Sequence, residues 1–388
     1  MPSHPTLADV AEKAGVSAST ASIAFSGSGP VSDATKERVL AAAAALGYAG
    51  PDPRARSLRR GRSGIVGVVL EERVRAAFLD PVKIRTLDGI AEGIAPLGAG
   101  LLLLTDTGDD AQVSVESAPV DAVVLVGCSP RLADTVAVFR RRGIPAVAIE
   151  GAADEDILEI VIDNRAATRR GAEYLQKLGH SHVAVVTLPV DAQRTRGPIT
   201  PELEARATNS TTRDRLLGAR EVFPDAPAFA TAASSVEEGR IAALALLADP
   251  AGTGGADGAG GAAADGTDGA GGATGAAVGG GSAGGGGTAD AVGRPTAIIA
   301  QSDLLAAGVI RAAEELGLRV PEDLSVLGFD GIRVDGLQHD LTTLDQPSVD
   351  KGRAAGEAIV RLLAGDLPEP AAFTCTLHIG DTTAPPRG

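Results

Sequence analysis

The sequence contains no run of 18 or more apolar residues, the length that a helix needs to cross a bilayer. Its first ten residues show no basic segment followed by an apolar stretch, so we expect neither a transmembrane helix nor a secretory signal peptide. Cysteine is nearly absent. Cys128 and Cys375 are the two present, each in an apolar run without metal-ligand spacing. We expect both to be buried, reduced thiols in a cytoplasmic protein.

The motifs of several enzyme classes are also missing. The chain has no GxxxxGK phosphate loop, and its segment GIVGVV lacks the GxGxxG pattern of dinucleotide-binding folds. Its five histidines show no HExxH pattern, and for His180 and His182, at a predicted strand start, a structural or solvated role is expected. The sequence therefore argues against an enzyme, and we predict neither a cofactor nor a metal site.

The net charge of −15 is distributed unevenly along the chain. Residues 1–62 carry a net charge of +3, so the remaining 326 residues carry −18. A small basic segment on a large acidic body is typical of a DNA-binding module joined to a domain that stays away from phosphate. A surface imbalance without function would give the same pattern, so charge alone leaves both interpretations open.

Three short helices are predicted within the first 50 residues. They cover residues 6–14, about 18–25 and about 33–46. Each follows a hydroxyl side chain that can cap its N-terminus, and these are Thr6, Ser17 and Ser32. Only three residues join the first two helices. This short connection predicts the angular pair of a helix-turn-helix, the second helix of which lies in the DNA major groove.

From about residue 63, short apolar runs alternate with amphipathic helical patterns. The strand-like runs are 64–70, 101–105, 121–127, 145–150, 182–188, 296–301 and 324–329. The helical patterns lie near 83–97, 131–142, 164–178, 213–221, 235–248, 303–316 and 349–364. This alternation predicts parallel sheets flanked by helices. Because the strands are too many for one compact sheet, we predict two α/β lobes, the first formed by residues 63–162 and part of 325–347.

Two segments follow neither pattern. Residues 50–62 are basic and contain two prolines and two glycines, which indicates either a linker or a segment that folds only against DNA. Residues 251–293 contain 19 glycines and no Lys or Arg, so we predict a disordered insertion there. Such an insertion is tolerable because loop-closure entropy grows only logarithmically with length.

Six segments, in this order and spacing, resemble the lac repressor (LacI) family. They are TLADVAEKAGVSASTAS (6–22), VSDATKERVLAAAAALGY (31–48), ARSLRRGRSGIVGVV (55–69), VIDNRAATRRGAEYLQKLGHSHVAVV (161–186), PTAIIAQSDLLAAGVIRAAEELGLRVPEDLSVLGFD (295–330) and LTTLDQP (341–347). The resemblance implies a helix-turn-helix domain (1–49), a hinge (50–62) and a two-lobed periplasmic-binding-protein-like core (63–388). It further implies a cytoplasmic, nucleoid-associated homodimer that represses transcription from a palindromic operator in double-stranded DNA. A small-molecule effector in the interlobe cleft would control operator affinity.

The resemblance also assigns DNA-contacting residues. Hydroxyl residues match positions that contact phosphates in the family, with capping or solvation as the alternative: Thr6, Ser17, Ser22 and Thr35. Base reading falls to the second helix, at Ala18, Ser19, Thr20, Ser22 and Ile23. Arginine occupies the position of Ile23 in much of the family. Its bidentate guanine contact is absent here, so we expect permissive, methyl-biased readout, with core packing as the alternative for Ile23.

The hinge offers a second way to read DNA. Leu58 matches a leucine that wedges into the minor groove in the family, where it makes recognition depend on how easily the duplex deforms. Arg54 and Arg56 would lie along the adjacent phosphates, together with Arg59 and Arg60.

Four residues are implied for the effector cleft. Arg215 and Asp303 match cleft residues of the family, with a surface ion pair and a helix N-cap as their alternatives. Asp163 lies near a predicted lobe crossing, and Phe78 lies in the loop after the first core strand. An Arg fork with a carboxylate suits sugars or nucleobases. A solute-binding protein of the same fold is the main rival, but it would need an export signal and no basic head.

Overall fold

The computed structural model describes residues 5–27, 29–50, 61–71, 74–105, 114–127, 131–151, 157–248 and 294–387. The hinge residues Arg54, Arg56 and Leu58, Cys128, and the glycine-rich stretch 251–293 lie outside these ranges. Predictions for them stay predictions.

The N-terminal head consists of α1 (Leu7–Ala14), α2 (Ala18–Ser26) and α3 (Asp33–Leu46). All three predicted caps are confirmed. The Thr6 hydroxyl accepts from the backbone N–H of Asp9, and the Asp9 carboxylate accepts from Thr6 N–H in return. Small apolar side chains fill the centre of the head, among them Val10, Ala21 and Val39. The predicted helix-turn-helix is therefore present.

The first lobe begins where the chain leaves the hinge. Its elements are β1 (Ile65–Leu70), α4 (Val74–Ala77), α5 (Pro81–Ile94), β2 (Gly100–Thr105), β3 (Ala122–Val126), α6 (Leu132–Arg141), β4 (Ala146–Ile149) and β5 (Leu158–Ile162). A 3-10 turn at Ala95–Leu97 extends α5. The strands are buried and rich in Val, Ile and Leu, as expected for a parallel sheet covered on both faces.

The second lobe follows without interruption. Its elements are α7 (Asn164–Leu178), β6 (Val183–Thr187), β7 (Gly197–Pro198), α8 (Pro201–Glu204), α9 (Ser210–Arg220), β8 (Ala228–Ala230), α10 (Val236–Leu247), β9 (Ala297–Ala300), α11 (Asp303–Glu315), β10 (Ser325–Asp330) and β11 (Thr343–Asp345). The short strands β5, β7, β8 and β11 and the short helices α4 and α8 were not predicted.

The last three elements are α12 (Ser348–Ala364), β12 (Ala371–Phe373) and β13 (Thr376–His378). The first sheet has the order β12-β5-β4-β3-β1-β2 and is parallel throughout. The second has the order β13-β11-β10-β9-β6-β8-β7, with antiparallel strands only at its two edges. Two parallel α/β lobes are thereby confirmed.

One assignment of the sequence analysis is wrong. Strands β10 and β11 lie in the second sheet, so residues 325–347 do not complete the first lobe. The chain returns to the first lobe only afterwards, through α12 and β12, which packs beside β5. The lobes are joined by three crossings, at Asp163, at Gln346–Pro347 and at residues 374–375.

Helices α5 and α12 pack with their backbones in contact. A Cβ atom on Gly89 would lie 2.0 Å from the carbonyl oxygen of Val349, and one on Gly352 would lie 2.2 Å from that of Thr86. The two helices therefore form one close pair in the first lobe. Among the described residues, none of the helices has both the length and the apolar character to cross a membrane.

Candidate functional sites in the head and between the lobes

A cavity of about 680 Å³ lies between the two lobes. Residues at or just after the carboxyl ends of parallel strands line it from both sides: Glu71, Gly127 and Glu150 from the first lobe, and Leu188 and Asp330 from the second. Carboxyl ends of parallel strands are the usual place for ligands in α/β folds, because the loops that follow them converge there.

Arg215 lies on α9 in the wall of this cavity and is only 3% exposed. Its Nε donates to Asn164 Oδ1 at 2.8 Å, and its Nη1 donates to the carbonyl of Gln301 at 2.5 Å. The guanidinium carbon lies 3.5 Å from the centre of the Phe329 ring. The surface ion pair considered as the alternative for Arg215 is therefore wrong, since the fork is buried and held in one orientation.

Four further polar side chains continue from Arg215 across the cavity. Asp330 Oδ1 lies 3.7 Å from Arg215 Nη1 and accepts from Gln346 Nε2 at 2.6 Å. Gln346 Oε1 and Glu150 Oε2 both accept from Lys351 Nζ, each at 2.5 Å. The Nδ2 group of Asn164 closes the circle by donating to Glu150 Oε1 at 2.9 Å.

These residues form a closed circuit, which we call the interlobe ring: Arg215, Asp330, Gln346, Lys351, Glu150 and Asn164. Glu150 and Lys351 belong to the first lobe, whereas Arg215 and Asp330 belong to the second. The ring therefore ties the lobes together at the cavity, and a ligand bound there would contact groups from both.

The pKa values of the two carboxyl groups in the ring are shifted in opposite directions. Burial alone would raise the pKa of Glu150, but Lys351 and Arg215, with the hydrogen bonds of Lys351 and Asn164, hold it below its ordinary value. Burial raises the pKa of Asp330 to about 7 even though Arg215 lies nearby. Glu150 is thus the firmly ionised carboxylate of the ring, and Asp330 is the one that can take up a proton near neutrality.

Asp303 lies behind the cavity wall and not on it. It is completely buried, and its carboxylate accepts from Thr343 Oγ1 at 2.6 Å and from the N–H of Ile332 at 2.8 Å. Burial, followed by the nearby Asp330, raises its pKa well above the ordinary value. The N-cap alternative is wrong, because the cap of α11 is Ser302, which itself lines the cavity. Asp303 supports the loop that follows β10.

Asp163 and Phe78 also lie outside the cavity lining. Asp163 sits at the first lobe crossing, where its carboxylate accepts from the N–H of Cys375 at 2.8 Å and pairs with Arg170 at 2.8 Å. It therefore joins the first crossing to the third. Phe78 is 57% exposed, and its neighbours Leu79 and Asp80 line the cavity in its place.

Five of the six ring residues were not predicted from the sequence. Glu150, Asp330, Gln346 and Lys351 line the cavity, and Asn164 closes the ring beside it. A usable signal existed for the two acids, because Glu150 ends the run 145–150 and Asp330 directly follows the run 324–329, both predicted as strands. The backbone marks the same place: the non-glycine residues with positive φ among the described residues are Glu150, Arg194 and Asp330, and all three line the cavity.

In the head, Ala18 and Ser19 are exposed on α2, whereas Thr20, Ser22 and Ile23 are half-buried. Ile23 lies against the loop after α2, since a Cβ atom on Gly29 would lie 3.3 Å from its Cγ2. This contact agrees with the packing alternative for Ile23 and leaves part of the side chain accessible.

Three hydroxyl groups of the head are engaged in caps. Thr6 Oγ1 donates to Asp9 Oδ2 at 2.8 Å, and the Ser17 hydroxyl accepts from the N–H of Thr20 at 3.0 Å. The hydroxyl of Thr35 lies 2.9 Å from that of Ser32. These residues therefore take part in helix caps. Their side chains lie at helix N-termini, where phosphate contacts are favoured.

The chain that arrives from the hinge is fastened to the first lobe. The carboxylate of Asp121 accepts from Ser63 N at 2.6 Å, from the Ser63 hydroxyl at 2.9 Å and from Gly64 N at 2.7 Å. The Arg62 guanidinium donates to the carbonyl of Leu363 at 2.9 Å, at the end of α12. The head therefore connects to the lobe that contributes Glu150 and Lys351 to the ring.

A helix-turn-helix head joined to a two-lobed α/β core with a polar interlobe cavity defines the class of transcriptional regulators that combine DNA binding with ligand binding. Comparison with known proteins agrees with this class. Residues 6–50 match the family model for bacterial regulatory proteins of the lacI family, and residues 266–383 match that of the periplasmic binding protein-like domain.

Similar whole proteins and structures give the same result. The chain is 30% identical to the HTH-type transcriptional regulator IpsA of Corynebacterium glutamicum over 98% of both chains, and 30% identical to the regulator Rv3575c of Mycobacterium tuberculosis over 98% and 97%. A crystal structure of a LacI-family regulator from C. glutamicum aligns with a TM-score of 0.64 at 26% identity, covering 98% of this chain and all of that one. The lac repressor dimer bound to operator aligns with a TM-score of 0.70 at 22% identity and the same coverage.

The chain belongs to the LacI family of bacterial transcriptional regulators. It is a helix-turn-helix DNA-binding regulator with a periplasmic-binding-protein-like core, as the resemblance implied. The rival interpretation, a solute-binding protein without a DNA role, is not favoured.

Proposed function

We propose that this chain is a homodimeric repressor of a palindromic operator and that a neutral, hydroxyl-rich molecule in the interlobe cavity changes its operator affinity. The interlobe ring is the observation that carries this proposal, because it lines the cavity with polar groups of both lobes. A ligand that bonds to these groups differently in two lobe arrangements shifts the balance between them.

The charges of the cavity favour an uncharged ligand. Its basic lining residues are Lys83, Arg131, Arg194, Arg215 and Lys351. Its acidic lining residues are Glu71, Asp80, Glu150, Asp191 and Asp330. With Asp330 ionised, the five charges of each sign balance, so the described lining then offers no net attraction to an ion.

The same lining favours a sugar-like over a nucleobase-like ligand. Of the described residues that line the cavity, none is Phe, Tyr or Trp, so a planar base has no ring to stack on. We assign the direct ligand contacts to Arg215 and to the four ring residues that line the cavity with it, Asp330, Gln346, Lys351 and Glu150. Asp303 and Asp163 act indirectly in this proposal, the first by supporting the loop after β10 and the second by joining two lobe crossings. Phe78 is assigned to the cavity mouth, beside Leu79.

For DNA, we assign phosphate contacts to helix N-termini and to the hinge, at Thr6, Ser17, Ser22, Thr35, Arg54 and Arg56. Ala18, Ser19, Thr20 and Ile23 offer only small, hydroxyl or methyl groups to base edges, and the exposure of Ala18 and Ser19 supports such contact. Readout in the major groove is then permissive. More of the specificity comes from Leu58 and the deformability of the duplex.

The relatives are transcriptional regulators. On that basis we assign the chain no catalytic activity and place it at the nucleoid in the cytoplasm.

Selection of genomic fragments by the wild-type protein, followed by gel shifts, tests the DNA part of the proposal. We expect a palindromic site, binding that weakens steeply with salt, and clearly weaker, less selective binding by Leu58→Ala. Leu367→Ala is the matched control, since Leu367 is 88% exposed on the core. Equal, sequence-indifferent binding by wild type and Leu58→Ala would refute the hinge assignment.

A thermal-shift screen tests the ligand class. The panel contains ribose, glucose and sorbitol as neutral polyols, ribose 5-phosphate as an anion, and adenine and uracil as nucleobases. Because a ligand that binds only the folded core raises its apparent stability, we expect a higher melting temperature with a neutral polyol alone. Stabilisation by a nucleobase or by the phosphate instead would contradict the assignment.

A further inference from the structure

Lys351 is an unusual residue for the wall of a cavity. It lies in the first turn of α12, it lines the cavity, and it is only 3% exposed. Lysine is almost never this buried unless it is paired, and pairing alone does not explain its presence. Replacing a buried ion pair with apolar side chains is often neutral or stabilising. A buried ammonium at a cavity therefore suggests a use besides stability.

The hydrogen bonds of Lys351 leave one donor for a ligand. An ammonium group has three N–H donors, and Glu150 Oε2 and Gln346 Oε1 accept two of them. In the described part of the chain, the third has no protein partner. The side chain cannot swing away to find one, because both bonds hold it between β4 and the second lobe crossing.

The charge of Lys351 is already compensated. Glu150 lies 2.5 Å away, keeps only 13% of its side chain exposed, and is itself held by the amide of Asn164. Glu150 adopts the left-handed backbone conformation, with φ of 54°, which is costly for a residue with a side chain. The strained backbone and the Asn164 bond both keep this carboxylate beside the ammonium. A compensated ammonium suits an uncharged oxygen better than an anionic one.

We infer that Lys351 is a specificity-determining residue of the cavity, which donates its third N–H to one hydroxyl oxygen of the neutral ligand, and that Glu150 is the positioning residue that holds this ammonium in place. The inference rests on the proposed function and sharpens it. It identifies one hydroxyl group of the ligand as the group that the first lobe recognises.

Titration calorimetry with ribose, glucose and sorbitol, and with analogues of the binding sugar that each lack one hydroxyl, tests the inference. We expect the wild-type protein to lose about 10- to 100-fold in affinity when one particular hydroxyl is removed, the usual range for a hydrogen bond to a charged group. The double variant Lys351→Met with Glu150→Gln should bind the parent sugar correspondingly more weakly. It should also bind the parent and that one analogue equally.

The double variant is needed because Lys351→Met alone leaves the largely enclosed carboxylate of Glu150 without its partner and can destabilise the fold. Circular dichroism and the melting temperature establish that each variant is folded. Lys177→Met, on the exposed face of α7, is the control and should behave as wild type. Glu150→Gln alone should shift the preference from the neutral sugar towards ribose 5-phosphate, because it leaves the charge of Lys351 uncompensated. A purely structural role would not produce that shift.

Two results would overturn the inference. If the folded double variant discriminates among the deoxy analogues as the wild type does, Lys351 does not read the ligand. If the wild-type protein binds none of the three sugars, the ligand class proposed above is wrong, and this inference falls with it. The second failure is seen in the wild type alone, so the two are distinguished.

Discussion

The guanidinium group of Arg62 donates a 2.9 Å hydrogen bond to the backbone carbonyl of Leu363. This bond joins the segment that arrives from the hinge to the last turn of α12. The same helix carries Lys351 in its first turn, at the cavity. Its 17 residues span about 25 Å, and α5 braces it through backbone contact. A rigid element thus runs from the ligand cavity to Arg62, in the described segment that follows the hinge.

Breaking that bond should reduce the control of DNA binding by ligand. We expect Arg62→Met to bind the stabilising sugar as the wild type does, since Arg62 lies far from the cavity. The ratio of operator Kd values with and without sugar should fall about fivefold or more, within the usual range of coupling free energies. Fluorescence anisotropy on the selected operator measures this ratio. Arg319→Met, an exposed arginine in the second lobe, is the control, and an unchanged ratio in Arg62→Met would exclude this route.

The close contact of α5 and α12 predicts a large effect of one methyl group. Gly89→Ala places a Cβ atom 2.0 Å from the Val349 carbonyl oxygen, and both are backbone positions that cannot move independently. We expect the free energy of unfolding to fall by about 3 kcal/mol or more, as for overpacked interiors.

Chemical denaturation checks this value. Gly100→Ala is the matched control, because a Cβ atom there meets nothing within 4 Å and the backbone is unstrained. It should change stability by less than about 0.5 kcal/mol, as surface substitutions usually do. If Gly89→Ala lost as little stability as Gly100→Ala, α5 and α12 would not be in close contact in solution.

The raised pKa of Asp330 predicts a pH dependence of stability. Burial raises this pKa from 3.8 to about 7, so between about pH 4 and 7 the folded protein holds a proton that the unfolded chain has lost. This contribution to the free energy of unfolding is fully present below pH 4 and is lost as pH rises through 7. Its slope is at most about 1.4 kcal/mol per pH unit.

Urea unfolding at pH 5, 6 and 7 measures this slope, with Asp330→Asn as the comparison. The variant lacks the titrating group and should lose less stability between pH 5 and 7 than the wild type does. His180 has a lowered pKa from burial and works in the opposite direction, but it is present in both proteins and cancels in the difference. Parallel curves would show that Asp330 is ionised throughout this range.

The position of Ile23 predicts how the head reads bases. We expect sites selected by the wild-type protein to show little guanine preference opposite this residue, since isoleucine cannot donate to guanine. Ile23→Arg should introduce such a preference, because a bidentate contact to guanine is worth about 1–3 kcal/mol. Selection from a random duplex library with both proteins measures this. A strong guanine preference already present in the wild type would contradict the assignment.

Features set by neighbouring residues could be predicted from the sequence. The caps Thr6, Ser17 and Ser32 and the helices they begin depend on contacts within three residues, and all were found where predicted. Long apolar strands and amphipathic helices of the core were equally visible. Arg215 could be placed in the cavity by resemblance to the family, and the structure locates it there.

Features that depend on contacts between residues far apart in the sequence could not be predicted. The strand β12 has three residues, so its apolar pattern is too short to show that the chain returns to the first lobe. The interlobe ring joins residues as distant in sequence as Glu150 and Lys351, and nothing near either residue indicates the other. Asp303 was expected in the cleft because it matches a cleft residue of the family, but its side chain turns towards Thr343, behind the wall.

The central claim is that a neutral ligand in the interlobe cavity controls binding of the head to DNA. Fluorescence anisotropy of the selected operator duplex, titrated with wild-type protein with and without saturating sugar from the thermal-shift screen, tests it most directly. We predict at least a fivefold change in Kd, the lower end of ordinary allosteric coupling. The folded double variant Lys351→Met with Glu150→Gln should show a much smaller change at the same sugar concentration. An operator Kd that is the same with and without a sugar that binds the core would contradict the claim.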